Sequence, residues 1–101
     1  SDSDDYYLKY QYNGRSYFIY SDGSLAVNEL ISYNENKYYV NEKGNLITNK
    51  VVFTTGHHYY FGKSGKMITD KKIIWKGKKY YCKPNGILKR IKPAKTKKKD
   101  D

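Results

Sequence analysis

His57 and His58 are the only histidines of this 101-residue chain and Cys82 is its only thiol, so these residues stand nearest to metal or nucleophilic chemistry. Neighbouring residues of a strand point to opposite faces, which keeps two adjacent histidines from closing on one metal ion. Asp22 and Asp70 fall in turn or connector positions with no second carboxylate at a regular spacing, and no serine has a base beside it apart from the histidine pair. No enzyme and no cofactor is expected from such a set. A single cysteine excludes an intramolecular disulfide and any CxxC redox or zinc motif. Cys82 also stands where equivalent stretches carry Ile19, Val40 and Phe61, which reads as a buried, inert thiol.

The chemistry left is that of rings and cations. The chain holds 13 Tyr, 3 Phe and 1 Trp. Exposed rings can stack on sugar faces while Asn, Lys and Tyr hydroxyls bond to sugar hydroxyls. The candidates are Tyr12, Tyr33 and Trp75, which share one register position, and the first ring of each aromatic pair, Tyr17, Tyr38, Tyr59 and Tyr80. Packing between strands is the competing use of every one of them. A second candidate set is cationic: Lys71, Lys72, Lys76, Lys78, Lys79 and Lys83 could hold the phosphates of an acidic polymer. The formal charge of +10 is uneven, since residues 55 to 88 carry eight Lys against Asp70 alone, whereas residues 6 to 54 carry five basic and four acidic residues. Nucleic acid is the weaker reading of this surface, because the rings follow a period that packing already explains.

That period is what must position the candidates. Tyr17-Phe18, Tyr38-Tyr39, Tyr59-Tyr60 and Tyr80-Tyr81 recur at steps of 21 residues. Gly23, Gly44, Gly65 and Gly86 keep the step, and so do Leu25, Leu46, Met67 and Leu88. Self-similarity of this length marks a repeat array. Each copy reads as strand, turn, strand: Ser16 to Tyr20, the turn Ser21-Asp22-Gly23, then Ser24 to Val27. A lone hairpin is marginal in water, so the copies must stack. The expected fold is all-β, a β-hairpin solenoid of about four stacked units of 21 residues. Alternation turns Ile19, Val40, Phe61 and Cys82 inward and sends the second ring of each pair to the neighbouring hairpin. Segments 29–32, 50–54 and 71–75 are read as connectors along the solenoid axis.

The organisation follows. Residues 1–11 form a polar lead and possible cap strand, frayed over 1–5. Residues 12–88 form the array, divided as 12–32, 33–54, 55–75 and 76–88. Residues 89–101 form a basic, disordered tail. No apolar run approaches the roughly 18 residues of a spanning helix. The first residues carry neither Met nor a signal peptide, as expected of a fragment or mature piece of something longer.

With ring pair, turn glycine and following Leu or Met all in register, GHHYYFGKSGKMITDK and KGKKYYCKPNGIL resemble the cell-wall-binding repeat of choline-binding proteins, glucan-binding proteins and clostridial toxins, whose motif is roughly G-x-x-Y-Y-F-x-x-x-G-x-M-x-T-G-W. The resemblance covers about residues 12 to 88. It implies a hairpin solenoid with ligand sites between successive hairpins, in a secreted bacterial protein held at the cell wall or cell surface. The implied partner is a wall or surface glycan, or a teichoic acid. Homo-association through the terminal hairpins also stays open. In choline-binding members the resemblance implies a cage of two Trp and one Tyr around the quaternary ammonium. Here the first Trp position holds Glu29, Lys50 and Lys71, and the second holds Ser16, Lys37, His58 and Lys79. A glycan therefore ranks above choline.

Overall fold

The computed structural model describes residues 8–94. Among the described residues nine strands alternate with short turns: β1 (Leu8–Tyr12), β2 (Arg15–Ile19), β3 (Glu29–Tyr33), β4 (Asn36–Val40), β5 (Lys50–Thr54), β6 (His57–Phe61), β7 (Lys71–Trp75), β8 (Lys78–Cys82) and β9 (Leu88–Arg90). They pair antiparallel as β1-β2, β3-β4, β5-β6 and β7-β8-β9. Each pair closes over two residues, Asn13-Gly14, Asn34-Glu35, Thr55-Gly56 or Lys76-Gly77, and all eight have positive φ. Positive φ at both central residues is the type I′ turn, whose twist matches that of the flanking strands. The register is the same in every hairpin, with Ile31 opposite Tyr38 and Val52 opposite Tyr59. The resulting body is elongated, 64 × 30 × 20 Å.

This corrects the strand pairing expected from sequence. The partner of each aromatic strand is the segment read above as a connector: Glu29–Tyr33, Lys50–Thr54 and Lys71–Trp75 are strands, and the expected second strand Ser24 to Val27 contributes only a bridge between Ile19 and Leu25. The glycine turn is a separate, second turn. Gly23, Gly44, Gly65 and Gly86 donate their N–H groups to the carbonyls of Tyr20, Asn41, Gly62 and Lys83 at 2.7–3.0 Å. Side chains fix its shape: the Asp22 carboxylate accepts from Ser24 N and Oγ at 2.9 and 2.6 Å, and Asn41 Oδ1 accepts from Lys43 N and Asn45 N at 2.9 Å. Asn28, Asn49 and Asp70 then carry the chain into the next hairpin at φ of 51 to 53°, a conformation that Asn and Asp tolerate best among side-chain-bearing residues. At the far end β9 takes residues 89 and 90 into the sheet, while residues 1–7 and 95–101 of the expected lead and tail lie outside the described residues.

A unit is thus a hairpin plus its trailing turn, and the core lies between units. Phe18 of the first unit packs on Tyr33 and Tyr38 of the second, with centroids 5.2 and 5.3 Å away, and Tyr39 of the second packs on Phe61 of the third at 6.3 Å. Val40, Phe61 and Cys82 are fully buried, as the inward face of their units requires, whereas Ile19 at the same position of the first unit is only half-buried. The trailing residue of one unit seats on the turn glycine of the next. A Cβ on Gly44 would come within 2.8 Å of Leu25, on Gly65 within 2.6 Å of Leu46, and on Gly86 within 2.3 Å of Met67. Gly23 meets nothing within 4 Å. The paired recurrence of glycine and Leu or Met is therefore one stacking contact, repeated.

Candidate functional site

The aromatic candidates do not converge. Tyr38 and Tyr59 are core residues, 4% and 8% exposed. Tyr38 lies against Phe18 with Lys9 Nζ 6.0 Å from its ring centre, and the Tyr59 hydroxyl shares a 3.0 Å hydrogen bond with Thr55 Oγ1. Tyr33 sits edge-on to Phe18, and Trp75 sits edge-on to Tyr80 at 6.5 Å with Lys76 Nζ 4.7 Å above it. Tyr17 is half-buried. Tyr12 is open, and it runs parallel to Tyr10, which sequence reasoning passed over, with centroids 6.5 Å apart.

The lysine candidates divide between two faces of the terminal sheet. Register places Lys71 opposite Cys82 and Lys78 opposite Trp75 on one face, with Lys72 opposite Tyr81 and Lys79 opposite Ile74 on the other. Lys76 is in the hairpin turn over Trp75, and Lys83 is half-buried in the second turn, its carbonyl accepting from Asp70 N at 3.2 Å. Lys89, opposite Tyr81, joins the face of Lys72 and Lys79.

What the fold does bring together is a polar cleft that recurs once per repeat step. In the first, of about 300 Å³, the first unit supplies Gly14, Arg15 and Ser16, the second Asn45, Leu46 and Thr48, and the third Lys63 and Ser64. In the second, of about 360 Å³, Glu35, Asn36 and Lys37 meet Met67, Thr69, Pro84 and Asn85. Nearly every residue of one is its counterpart in the other shifted by 21 positions. Cross-strand bonds set the polar groups that face each cleft: Gln11 Nε2 donates to Ser16 Oγ at 3.2 Å, and Lys37 Nζ donates to Ser32 Oγ at 3.1 Å. Amides, hydroxyls and cations of this kind offer hydrogen bonds to hydroxyl or phosphate oxygens. The recurrence of Thr48 and Thr69 was the available signal. It stayed unread because three units must be folded together before the cleft exists.

Hydrogen bonding and burial shift few groups. The Tyr81 hydroxyl donates to Asp70 Oδ1 at 2.8 Å; that bond first, then burial, pushes its ionisation up. Burial raises Tyr38, with Tyr33 adding to the effect, and burial alone raises Cys82. At the first cage position Glu29 accepts from the Tyr20 hydroxyl.

Similarity to known proteins fits this geometry. The model of a cell wall binding repeat matches residues 28–46 and 71–88. The choline binding domain of Spr1274 from Streptococcus pneumoniae is 32% identical, with 81% of this chain and 93% of that one covered and a TM-score of 0.66. The chain belongs to the cell wall binding repeat family. Other members share the fold at lower identity. The choline-binding domain of CbpL from the same organism is 23% identical over 79% of this chain and 41% of its own, at a TM-score of 0.64. The pneumococcal cell wall endolysin of phage Cp-1, solved with choline, is 21% identical over 87% of this chain, at a TM-score of 0.67. This chain spans only 26% of the endolysin. No curated protein sequence matches it at significance. As in other repeats of the family, the hairpins form an all-β solenoid.

Proposed function

We propose that the chain is a non-catalytic attachment module that holds a larger, secreted protein on a repetitive wall polymer, with successive polymer units bound in the clefts between hairpins. The observation that carries this reading is the repetition of the cleft: two polar sites built from equivalent positions, one repeat step apart, suit a ligand that itself repeats. Hydrogen bonds to glycan hydroxyls from Ser16, Asn36, Asn45, Thr48 and Thr69 do the main work. Ring stacking is secondary, since Tyr38 and Tyr59 are buried. The Spr1274 domain is described as choline-binding, but this chain carries Glu29, Lys50 and Lys71 at one cage position and Ser16, Lys37, His58 and Lys79 at the other. A lysine there repels a quaternary ammonium, so choline is not its ligand in that mode.

A second reading, an anionic wall polymer of the teichoic acid type, is favoured by Lys72, Lys79 and Lys89 sharing one face of the β7-β8-β9 sheet. Pull-down on isolated walls, intact or stripped of teichoic acid, separates the two. Retention on stripped walls at both low and high salt is expected of the glycan reading. Binding lost on stripping and steeply weakened by salt would replace it with the anionic one, because exposed charges are screened over about 8 Å at physiological ionic strength.

A further inference from the structure

The two ends of the solenoid differ. On one face of β1, Leu8, Tyr10 and Tyr12 are 65%, 46% and 58% exposed. One repeat step on, Ile31 stands in the place of Tyr10 and is 0% exposed, and Tyr33 stands in the place of Tyr12 and packs on Phe18. The difference is the covering unit: Phe18 and Ala26 of the first unit close over Ile31, Tyr33 and Tyr38, and Leu30, Tyr39 and Ile47 of the second close over Val52 and Tyr59. Among the described residues nothing closes over Tyr10 and Tyr12.

The opposite end is built to refuse such a contact. The residues a unit offers to its successor are Lys9, Phe18 and Ala26 in the first and Leu30, Tyr39 and Ile47 in the second, and the same positions hold Val51, Tyr60 and Ile68 in the third. The fourth offers Lys72, Tyr81 and Lys89, all of them in one row across the sheet. One lysine is tolerated at the first position, where Lys9 lies over the Tyr38 ring. A second stands at the position of Ala26, fully buried, and of Ile47 and Ile68, half-buried, and so brings a further charge into the seam between units. The backbone closes as well. The Lys37 carbonyl accepts from Met67 N of the following unit, whereas the equivalent Lys79 carbonyl accepts from Ile91 N of its own.

We propose that the face of Leu8, Tyr10 and Tyr12 is a docking surface for one further β-hairpin unit of this same repeat, presenting a ring flanked by two aliphatic side chains as Tyr39 is flanked by Leu30 and Ile47, and that Lys72 and Lys89 close the other end. The solenoid accepts units in one direction only. Continuity with the contact already made three times within the chain fixes the occupant as a hairpin unit, and terminal units with a polar outer face are what a stacked array needs at a closed end.

The test is insertion of a second copy of residues 29–49 into the full chain, either directly before Leu8 or directly after Ile91. The first insertion is expected to raise Tm by about 5 °C or more and to shield Tyr10 and Tyr12 from acrylamide quenching; the second is expected to leave Tm within about 1 °C. Adding Lys72→Leu and Lys89→Ile should make the second insertion stabilising. Equal stabilisation at both ends in the unaltered background, or none before Leu8, would overturn the proposal. Sedimentation equilibrium covers the remaining occupant: the unextended chain is expected to be a monomer, and a dimer that dissociates on Tyr12→Ser would assign the face to a second copy instead.

Discussion

Glu35 holds a backbone conformation that its side chain does not favour. It occupies the second position of a type I′ turn at φ 66°, where the other three hairpins have Gly14, Gly56 and Gly77. The left-handed region costs a residue with a Cβ roughly 1 kcal/mol or more, partly offset by the greater freedom that glycine loses on folding. Glu35→Gly should therefore stabilise the chain by about 0.5 to 1 kcal/mol, read from urea unfolding. An unchanged or lower midpoint would mean that the turn relaxes around Glu35 at no cost. Two glycines allow backbone strain to be separated from packing. Gly56 has φ 83° and open space around it, so Gly56→Ala carries only the conformational term, about 1 kcal/mol. Gly65 has φ 91° and a Cβ there would lie 2.6 Å from Leu46 Cδ2, so Gly65→Ala adds overpacking and should cost about 2 to 4 kcal/mol. Equal losses at the two sites would remove the stacking of Leu46 on the next turn as the reason for the repeated glycine.

At the scale of the element, the period was legible and the pairing was not. The 21-residue step, the ring pairs and the inward Val40, Phe61 and Cys82 are visible in sequence because every unit repeats the same contact. Each unit has two turns, however, and the tight one is disguised: Asn13-Gly14 is an open hairpin signal, but Asn34-Glu35, Thr55-Gly56 and Lys76-Gly77 dilute it. The conspicuous glycine of Ser21-Asp22-Gly23 drew the hairpin to the wrong turn. Its conservation of place comes from the seat it gives to Leu25, Leu46 or Met67, a contact between units that no single-unit pattern contains. The clefts were hidden for the same reason, as each needs three units whose relative rotation a period does not specify. Because the core lies between units, the hairpins should lose structure together. Phe61→Ala removes a fully buried ring from the contact of the second and third units and should cost about 3 to 5 kcal/mol, while Phe53→Ser, at 62% exposure, should change stability by less than about 1 kcal/mol. Far-UV dichroism and tyrosine fluorescence should move through one shared transition in Phe61→Ala; separate transitions would show the hairpins to be independent.

For the whole molecule, three weak acids that resist ionisation tie stability to pH on the alkaline side. Cys82 and Tyr38 are raised first of all by burial, and Tyr81 first of all by the bond to Asp70. A raised folded-state value means that the folded chain holds its proton more tightly than the unfolded one. The stabilisation is fully present below the unfolded value and is lost as pH climbs through the folded one. Unfolded thiols ionise near about 8.5 and unfolded tyrosines near about 10. The melting temperature should thus stay level from pH 7 to roughly 8.5, begin to fall as unfolded Cys82 ionises, and fall faster beyond about 10, where the tyrosines contribute. The thiol can be removed without opening the core, since the equivalent positions already hold Val40 and Phe61. Cys82→Val should keep the neutral-pH stability within about 1.5 kcal/mol and move the onset of the decline up to the tyrosine range. The measurement is Tm from pH 7 to 11 for the parent and Cys82→Val. If both begin to fall at the same pH, Cys82 is not held in an environment that refuses the thiolate, and the inward face of the fourth unit is wetter than its burial implies.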